Sequence, residues 1–464
     1  MDPLTVVDEI FLRTHRGMGT PIALQGLWRT PDAMEPALLQ AIHHHLRTGP
    51  LGRRVVTPRV PGARRTWHPN VTAHPLDILP DRDGGPLTDL AILPWADSLG
   101  ADLDPEFAPG WRLSAARLDD GGTVVALTCS HALADARGLI HAITAALRSL
   151  ESTGPGLDEP AGSRSAGSAQ HIDDEMGSRT QFSEWADACS QWAVIIGGTA
   201  RALRRRLARP ARPIEDPSAD RVPDSDIAPL PTARNPPSRP GTDVSTDGRV
   251  GGSASDRDLR PLLLTFDADH WDTTATALGG TSNSLFIYLI ANILWENGFP
   301  DPTITASLPV DTRDEPRVDN DLAMTEIAIQ RRDTPATIRD KAKAAYQRRM
   351  SSPAGLPEQI LQVIPDRWAY ALSKGAGERD ILCSNIGPLP DTVRKVGPHN
   401  CTRVAARAIH PGITTFPRTQ LSGYLSRLDN TYSLALVGLT ADNDSLFDAV
   451  QNACAKQGLR PTPW

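Results

Sequence analysis

Cysteine is scarce in this 464-residue chain, and it is unpatterned. Cys129, Cys189, Cys383, Cys401 and Cys454 are odd in number and include no C-x-x-C spacing. That argues against a disulfide framework and a structural zinc site, and for a reducing compartment. The chain also lacks any apolar run near the ~20 residues needed to span a bilayer. Its opening, Met1-Asp2-Pro3-Leu4, lacks the basic and apolar regions of a signal peptide. The expectation is a cytoplasmic protein, with peripheral contact to a membrane or lipid body as an alternative. The net charge is −7, so no positive field favours nucleic acid as a partner. No P-loop, no dinucleotide fingerprint after a strand and no Gly-x-Ser-x-Gly elbow is present. Histidines do run together at His43-His44-His45, but successive helical side chains diverge, so no metal site is expected.

What is present reads as α/β in two halves. The length suits two or three domains, each with its own core. In the first half, Ile22–Trp28 reads as a strand and Asp32–Leu46 as a helix with Met34, Leu38, Leu39 and Ile42 on one face. Trp111–Leu118 and Thr123–Cys129, joined by Asp119-Asp120-Gly121-Gly122, read as a β-hairpin. Phe182–Leu207 reads as a helix ending in several arginines. Those arginines suit a solvated helix end, a membrane surface, or the phosphates of coenzyme A or an acidic carrier protein. The stretch 210–258 is rich in Pro, Gly and Ser with few large apolar residues, and is expected to be a flexible linker. The expected division is thus 1–209, the linker 210–258, and 259–464. In the last segment, strands are expected at 260–266, 303–310, 381–384, 420–425 and 431–439. Helices are expected at 268–278, 283–296 and 444–457.

The most informative stretch is Ser130-His131-Ala132-Leu133-Ala134-Asp135-Ala136-Arg137-Gly138. An apolar strand precedes it, and a helical pattern through Leu139, Ile140, Ile143, Leu147 and Leu150 follows. A histidine is therefore delivered to a strand end, with an aspartate at the start of the next helix. Imidazole titrates near neutral pH and suits a general base. The plain alternative is a hydrogen-bonded histidine at a strand end, with Asp135 as a helix cap.

These residues resemble the His-His-x-x-x-Asp-Gly motif of the thioester-dependent acyltransferase superfamily. That superfamily includes chloramphenicol acetyltransferase, peptide-synthetase condensation domains and the wax ester synthase/diacylglycerol acyltransferases. The last branch looks closest. Asp8-Glu9-Ile10-Phe11-Leu12 is similar to its N-terminal Asp-x-x-Phe-Leu segment, and Gly279-Gly280-Thr281-Ser282-Asn283-Ser284 to its Gly-x-Thr-x-Asn-Asp helix start. Pro309-Val310-Asp311-Thr312-Arg313 followed by Asn320 resembles its Pro-Val-x-x-Arg…Asn segment. Cys383-Ser384-Asn385-Ile386-Gly387-Pro388 resembles its Ser-Asn-x-Pro-Gly-Pro turn, and the Ser-Asn-x-Gly turn of condensation domains. Ser130, Ala136 and Ser284 stand where the motifs have His, Gly and Asp.

The resemblance implies two chloramphenicol-acetyltransferase-like α/β subdomains in a V, with a central tunnel. It implies His131 as catalytic base and Asp135 paired with Arg313. Gly138 is expected to allow close backbone approach. Ser130, Asn283, Ser384, Asn385 and Gly387 are candidates for lining the tunnel; a β-turn is the plain alternative for the last three. The implied reaction moves an acyl group from a thioester, on coenzyme A or on the phosphopantetheine of an acyl-carrier protein, to a small-molecule hydroxyl or amine. No tightly bound cofactor or metal is implied. The rival expectations are the same scaffold turned to other chemistry, such as cyclisation, and a non-catalytic module that docks a carrier protein.

Overall fold

The hairpin forms: Trp111–Arg117 and Thr123–Ser130 pair antiparallel, with Trp111 opposite Cys129 and Arg117 opposite Thr123. The second strand is buried along its whole length. That explains its unbroken apolar and small character, since neither face meets water. The computed structural model describes residues 2–17, 21–79, 85–153, 183–207, 261–347, 379–413, 416–440 and 445–464. The linker expected at 210–258 and the segment after Thr153 lie outside them, as do the side chains at the basic end of the Glu184–Leu207 helix.

In chain order the first part holds β1 (Asp2–Pro3), α1 (Val6–Gly17), β2 (Ala23–Thr30), α2 (Pro36–Thr48), β3 (Arg53–Val56) and β4 (Thr66–Pro69). Then come β5 (Asp77–Ile78), α3 (Asp89–Ser98), β6 (Trp111–Arg117), β7 (Thr123–Ser130), α4 (Ala136–Thr153) and α5 (Glu184–Leu207). The second part holds β8 (Pro261–Asp267), α6 (Ala268–Ala277), α7 (Ser282–Glu296), β9 (Thr303–Asp311), β10 (Leu322–Gln330) and α8 (Pro335–Gln347). It continues with β11 (Ile381–Pro388), β12 (Lys395–Val396), β13 (His399–Asn400), β14 (Arg403–Ile409), β15 (Leu421–Leu428), β16 (Thr431–Gly438), α9 (Leu446–Lys456) and β17 (Thr462–Pro463).

Two large sheets organise the molecule into two lobes. One has the order β14-β2-β7-β6-β5, the other β10-β9-β11-β15-β16-β8-β17. The sheets do not follow the two halves of the chain. β14 pairs antiparallel with β2, from Arg403 opposite Arg29 to Ile409 opposite Ala23, so segment 259–464 supplies an edge strand to the first lobe. A buried network holds it there. The Arg407 guanidinium donates to Gln25 Oε1 at 2.9 and 2.7 Å and pairs with Asp97 of α3 at 2.7 Å. Gln25 Nε2 in turn donates to the Ala96 carbonyl at 2.8 Å and Thr128 Oγ1 at 2.9 Å. Arg407, Gln25 and Thr128 are cross-strand partners, so they share one face of the sheet.

In the second lobe α7 forms the core. Leu285, Phe286, Ile287, Leu289, Ile290 and Ile293 are all fully buried. A helix apolar all round, as this one is, belongs inside a domain. Its start is a capping box: Thr281 Oγ1 accepts from the Ser284 N–H at 3.2 Å, and Ser284 Oγ accepts from the Thr281 N–H at 2.8 Å. No single described helix is long and apolar enough to cross a membrane.

Candidate active site between the lobes

β7 ends at Ser130, and His131 continues its line, donating its N–H to the Ile22 carbonyl at 3.0 Å. Side chains alternate along a strand. His131 therefore projects toward the space between the lobes, and Ser130 projects away. Ser130 is buried and its Oγ accepts from the Ala132 N–H at 3.3 Å. It does not line the cavity described below, which corrects the expectation for that residue.

The His131 ring stacks on Phe11 of α1, with centroids 3.5 Å apart and planes 16° from parallel. Nδ1 is buried and has no hydrogen-bond partner at ordinary geometry. Burial lowers the ring's pKa from its ordinary value; its own carbonyl, Asp135 and Asn320 act the other way. The result is a mostly neutral imidazole, the form a base requires.

Asp135 uses its two carboxylate oxygens differently. Its Oδ1 accepts from the Gly138 N–H at 2.9 Å, which caps α4. Its Oδ2 meets Arg313 Nη2 at 2.5 Å and the Asp321 N–H at 3.2 Å. The Asp135 and Arg313 side chains are each 6% exposed. Arg313 also donates to the Asp319 carbonyl and to Asp311 at 2.8 Å. The pair ties the loop after β7 to the second lobe. Gly138 serves the same contact: a Cβ there would stand 2.4 Å from the Val318 carbonyl oxygen, closer than any methyl can approach.

Asn320 completes the junction and is fully buried. Its Nδ2 donates to the His131 carbonyl at 2.9 Å and to Asp8 Oδ1 at 2.8 Å. Its N–H donates to the same Asp8 oxygen at 3.0 Å. Burial pushes the Asp8 carboxyl above its usual range, although Arg53 and Asn320 act to lower it. Three distant segments, around residues 8, 131 and 320, thus meet behind the imidazole.

The second lobe contributes β11. Ser384 and Asn385 line the cavity. Asn283 does not line it; it stands one residue behind, accepting from Asn385 Nδ2 at 2.9 Å and donating to the Tyr346 hydroxyl at 3.1 Å. Gly387 is a turn residue with φ of +79° at a β-bulge, and its N–H donates to Asn385 Oδ1 at 3.0 Å. It too is set back from the cavity wall.

The cavity has a volume of about 380 Å³ and lies between the two sheets. Leu24, Trp28, Ile140, Ile143 and Val404 form an apolar wall from the first lobe, and Met324 and Leu382 face them from the second. His131, Asp135 and Arg137 lie on its border. His410, just past β14, also lines it and was not anticipated from the sequence. Only the pairing of β14 with β2 brings it there. The chamber is thus mainly apolar, with an imidazole at its border.

No protein-family model matches the chain, and no curated protein matches it in sequence. Solved structures do match in three dimensions. Polyketide synthase associated protein 5 from Mycobacterium tuberculosis aligns over 98% of both chains at 14% identity with a TM-score of 0.53. The EpoB cyclization-docking bidomain of a nonribosomal peptide synthetase from Sorangium cellulosum aligns over 98% of this chain and 84% of its own, at 14% identity and a TM-score of 0.53. The epimerization domain from the third module of tyrocidine synthetase B aligns over 98% and 94%, at 11% identity and a TM-score of 0.54. The chain therefore has the two-lobed, chloramphenicol-acetyltransferase-like fold that condensation, cyclization and epimerization domains share.

Proposed function

We propose that this chain is a condensation-type enzyme that uses His131 to transfer an acyl group from a thioester to a hydroxyl or amine. The observation that carries the reading is a neutral, Phe11-stacked imidazole on the wall of a mainly apolar inter-lobe cavity. The acceptor's O–H or N–H gives its proton to His131. Its lone pair adds to the thioester carbonyl, the C–S bond breaks, and the thiolate leaves to take up a proton. The products are an ester or amide and a free thiol. A thioester is already activated, so no covalent enzyme intermediate is needed. Asp135 and Arg313 hold the loop; they are positioning residues.

The solved relatives favour a carrier-protein thioester over acyl-coenzyme A, because peptide-synthetase domains recur among them. The wax ester synthase branch rests on short sequence motifs alone. A second reading follows from the cyclization and epimerization domains among the relatives. In it the same scaffold performs other chemistry on a carrier-bound substrate, or only docks the carrier. Thiol release separates these readings. Purified protein is offered acyl-coenzyme A and acyl-carrier donors of graded chain length with mixed alcohols and amines, and products are detected by mass. Acceptor-dependent release and a new ester or amide support transfer. A product from a carrier-bound substrate without an external acceptor moves the assignment to the second reading.

A further inference from the structure

His410 extends β14 by one residue, as His131 extends β7. Ile409 lies opposite Ala23, and Ala23 lies opposite Ser130. Continuing that register by one residue puts His410, Ile22 and His131 side by side on one sheet face. All three line the cavity. Adjacent strands lie ~4.8 Å apart, so two imidazoles flank the cavity with one residue between them. Both ring nitrogens of His410 are buried, and neither makes a hydrogen bond of ordinary geometry, although the Pro21 carbonyl is close enough to act on the ring. Buried polar atoms in native proteins are nearly always paired, and an unpaired set calls for an explanation.

The His410 pKa is pushed down to about 4 by burial and by His131, with the Pro21 carbonyl acting the other way. The ring is therefore neutral near neutral pH. A neutral imidazole presents one N–H donor and one acceptor nitrogen. It complements a group that also donates and accepts, such as a hydroxyl or an amide.

We propose that His410 is a specificity-determining residue that hydrogen-bonds a hydroxyl or amide of the substrate, beside the reacting group held at His131. This rests on the reading of His131 as the base, but its test does not require turnover. Binding of 1-octanol and of 1-chlorooctane, similar in shape but without the hydroxyl, is measured for wild type, His410→Gln and His410→Phe. Wild type is expected to prefer the alcohol by about tenfold, the size of one net hydrogen bond. His410→Gln keeps a donor and an acceptor and should retain most of the preference. His410→Phe should abolish it while leaving chlorooctane binding nearly unchanged. If His410→Phe does not fold, ¹⁵N-histidine spectra of wild type give the answer: octanol should move the His410 ring nitrogens and chlorooctane should not. A preference that survives His410→Phe, or no binding of either probe to wild type, overturns the proposal. If the binding results hold and thiol release fails, the His131 reading fails alone.

Discussion

At the scale of single residues, the proposed chemistry rests on His131, whose surroundings set its charge. The ordinary imidazole value is 6.5, and burial lowers it here. A base works only when neutral, so kcat/KM should fall with acid through a value below 6.5 and stay level above it. An acid limb centred above that value would contradict the stated environment. Asp135 acts through position. Replacing it with Ala would leave Arg313 buried with less compensation, and breaking a buried pair from one side costs about 3–5 kcal/mol. Arg313 keeps Asp311 and the Asp319 carbonyl, so the lower end is expected. Denaturant unfolding of Asp135→Ala measures this, and a loss under about 1 kcal/mol would mean that the pair does not hold the lobes.

At the scale of elements, the molecule depends on the segment that returns from the second lobe to the first. Two devices fix it. Asp97 neutralises Arg407, whose side chain is 1% exposed. Asp97→Ala should cost about 3 kcal/mol, reduced from the full range because Gln25 still accepts two bonds. Thermal unfolding checks it; an unchanged Tm would show that β14 needs no such anchor. The second device is His399 of β13, whose Nδ1 meets Asp32 at 2.8 Å and Nε2 meets Glu35 at 3.0 Å. Burial acts to lower its pKa, but hydrogen bonds to the two carboxylates raise it above 6.5. The raised value means that the folded state holds the proton more tightly. This stability is fully present below 6.5 and is lost as pH rises through the folded-state value. The Tm gap between wild type and His399→Gln should therefore be larger at about pH 6 than at about pH 9; an equal gap at both would refute the linkage.

These elements were unequally legible. β6, β7, β8, β9 and α7 could be read from local apolar pattern and turn residues. His131, Asp135 and Gly138 lie within one short stretch, whereas the pairing of Asp135 with Arg313 was expected only from the family resemblance. Asp32 is not the helix start: α2 begins at Pro36, because Asp32 and Glu35 turn outward to His399. β14 was missed because its partner strand lies far away in sequence, and its Arg403, Arg407 and small residues give no clean alternation. The clamp by Asp8 and Asn320, the stacking of Phe11 and the approach of His410 were missed for the same reason. Each is a contact between distant segments and leaves no trace in local spacing.

At the scale of the whole molecule, two sheets enclose an apolar chamber with an imidazole at its border. The loop after β7 is held from both lobes, so a change that moves the lobes also moves His131. The central claim is that this chamber hosts His131-dependent acyl transfer from a thioester. It is tested most directly by the rate of free-thiol release from acyl-carrier and acyl-coenzyme A donors, with acceptor present, for wild type and folded His131→Ala. The account predicts acceptor-dependent release that falls by roughly 10²–10⁴-fold in the variant. Release that is equally fast without His131 would contradict it.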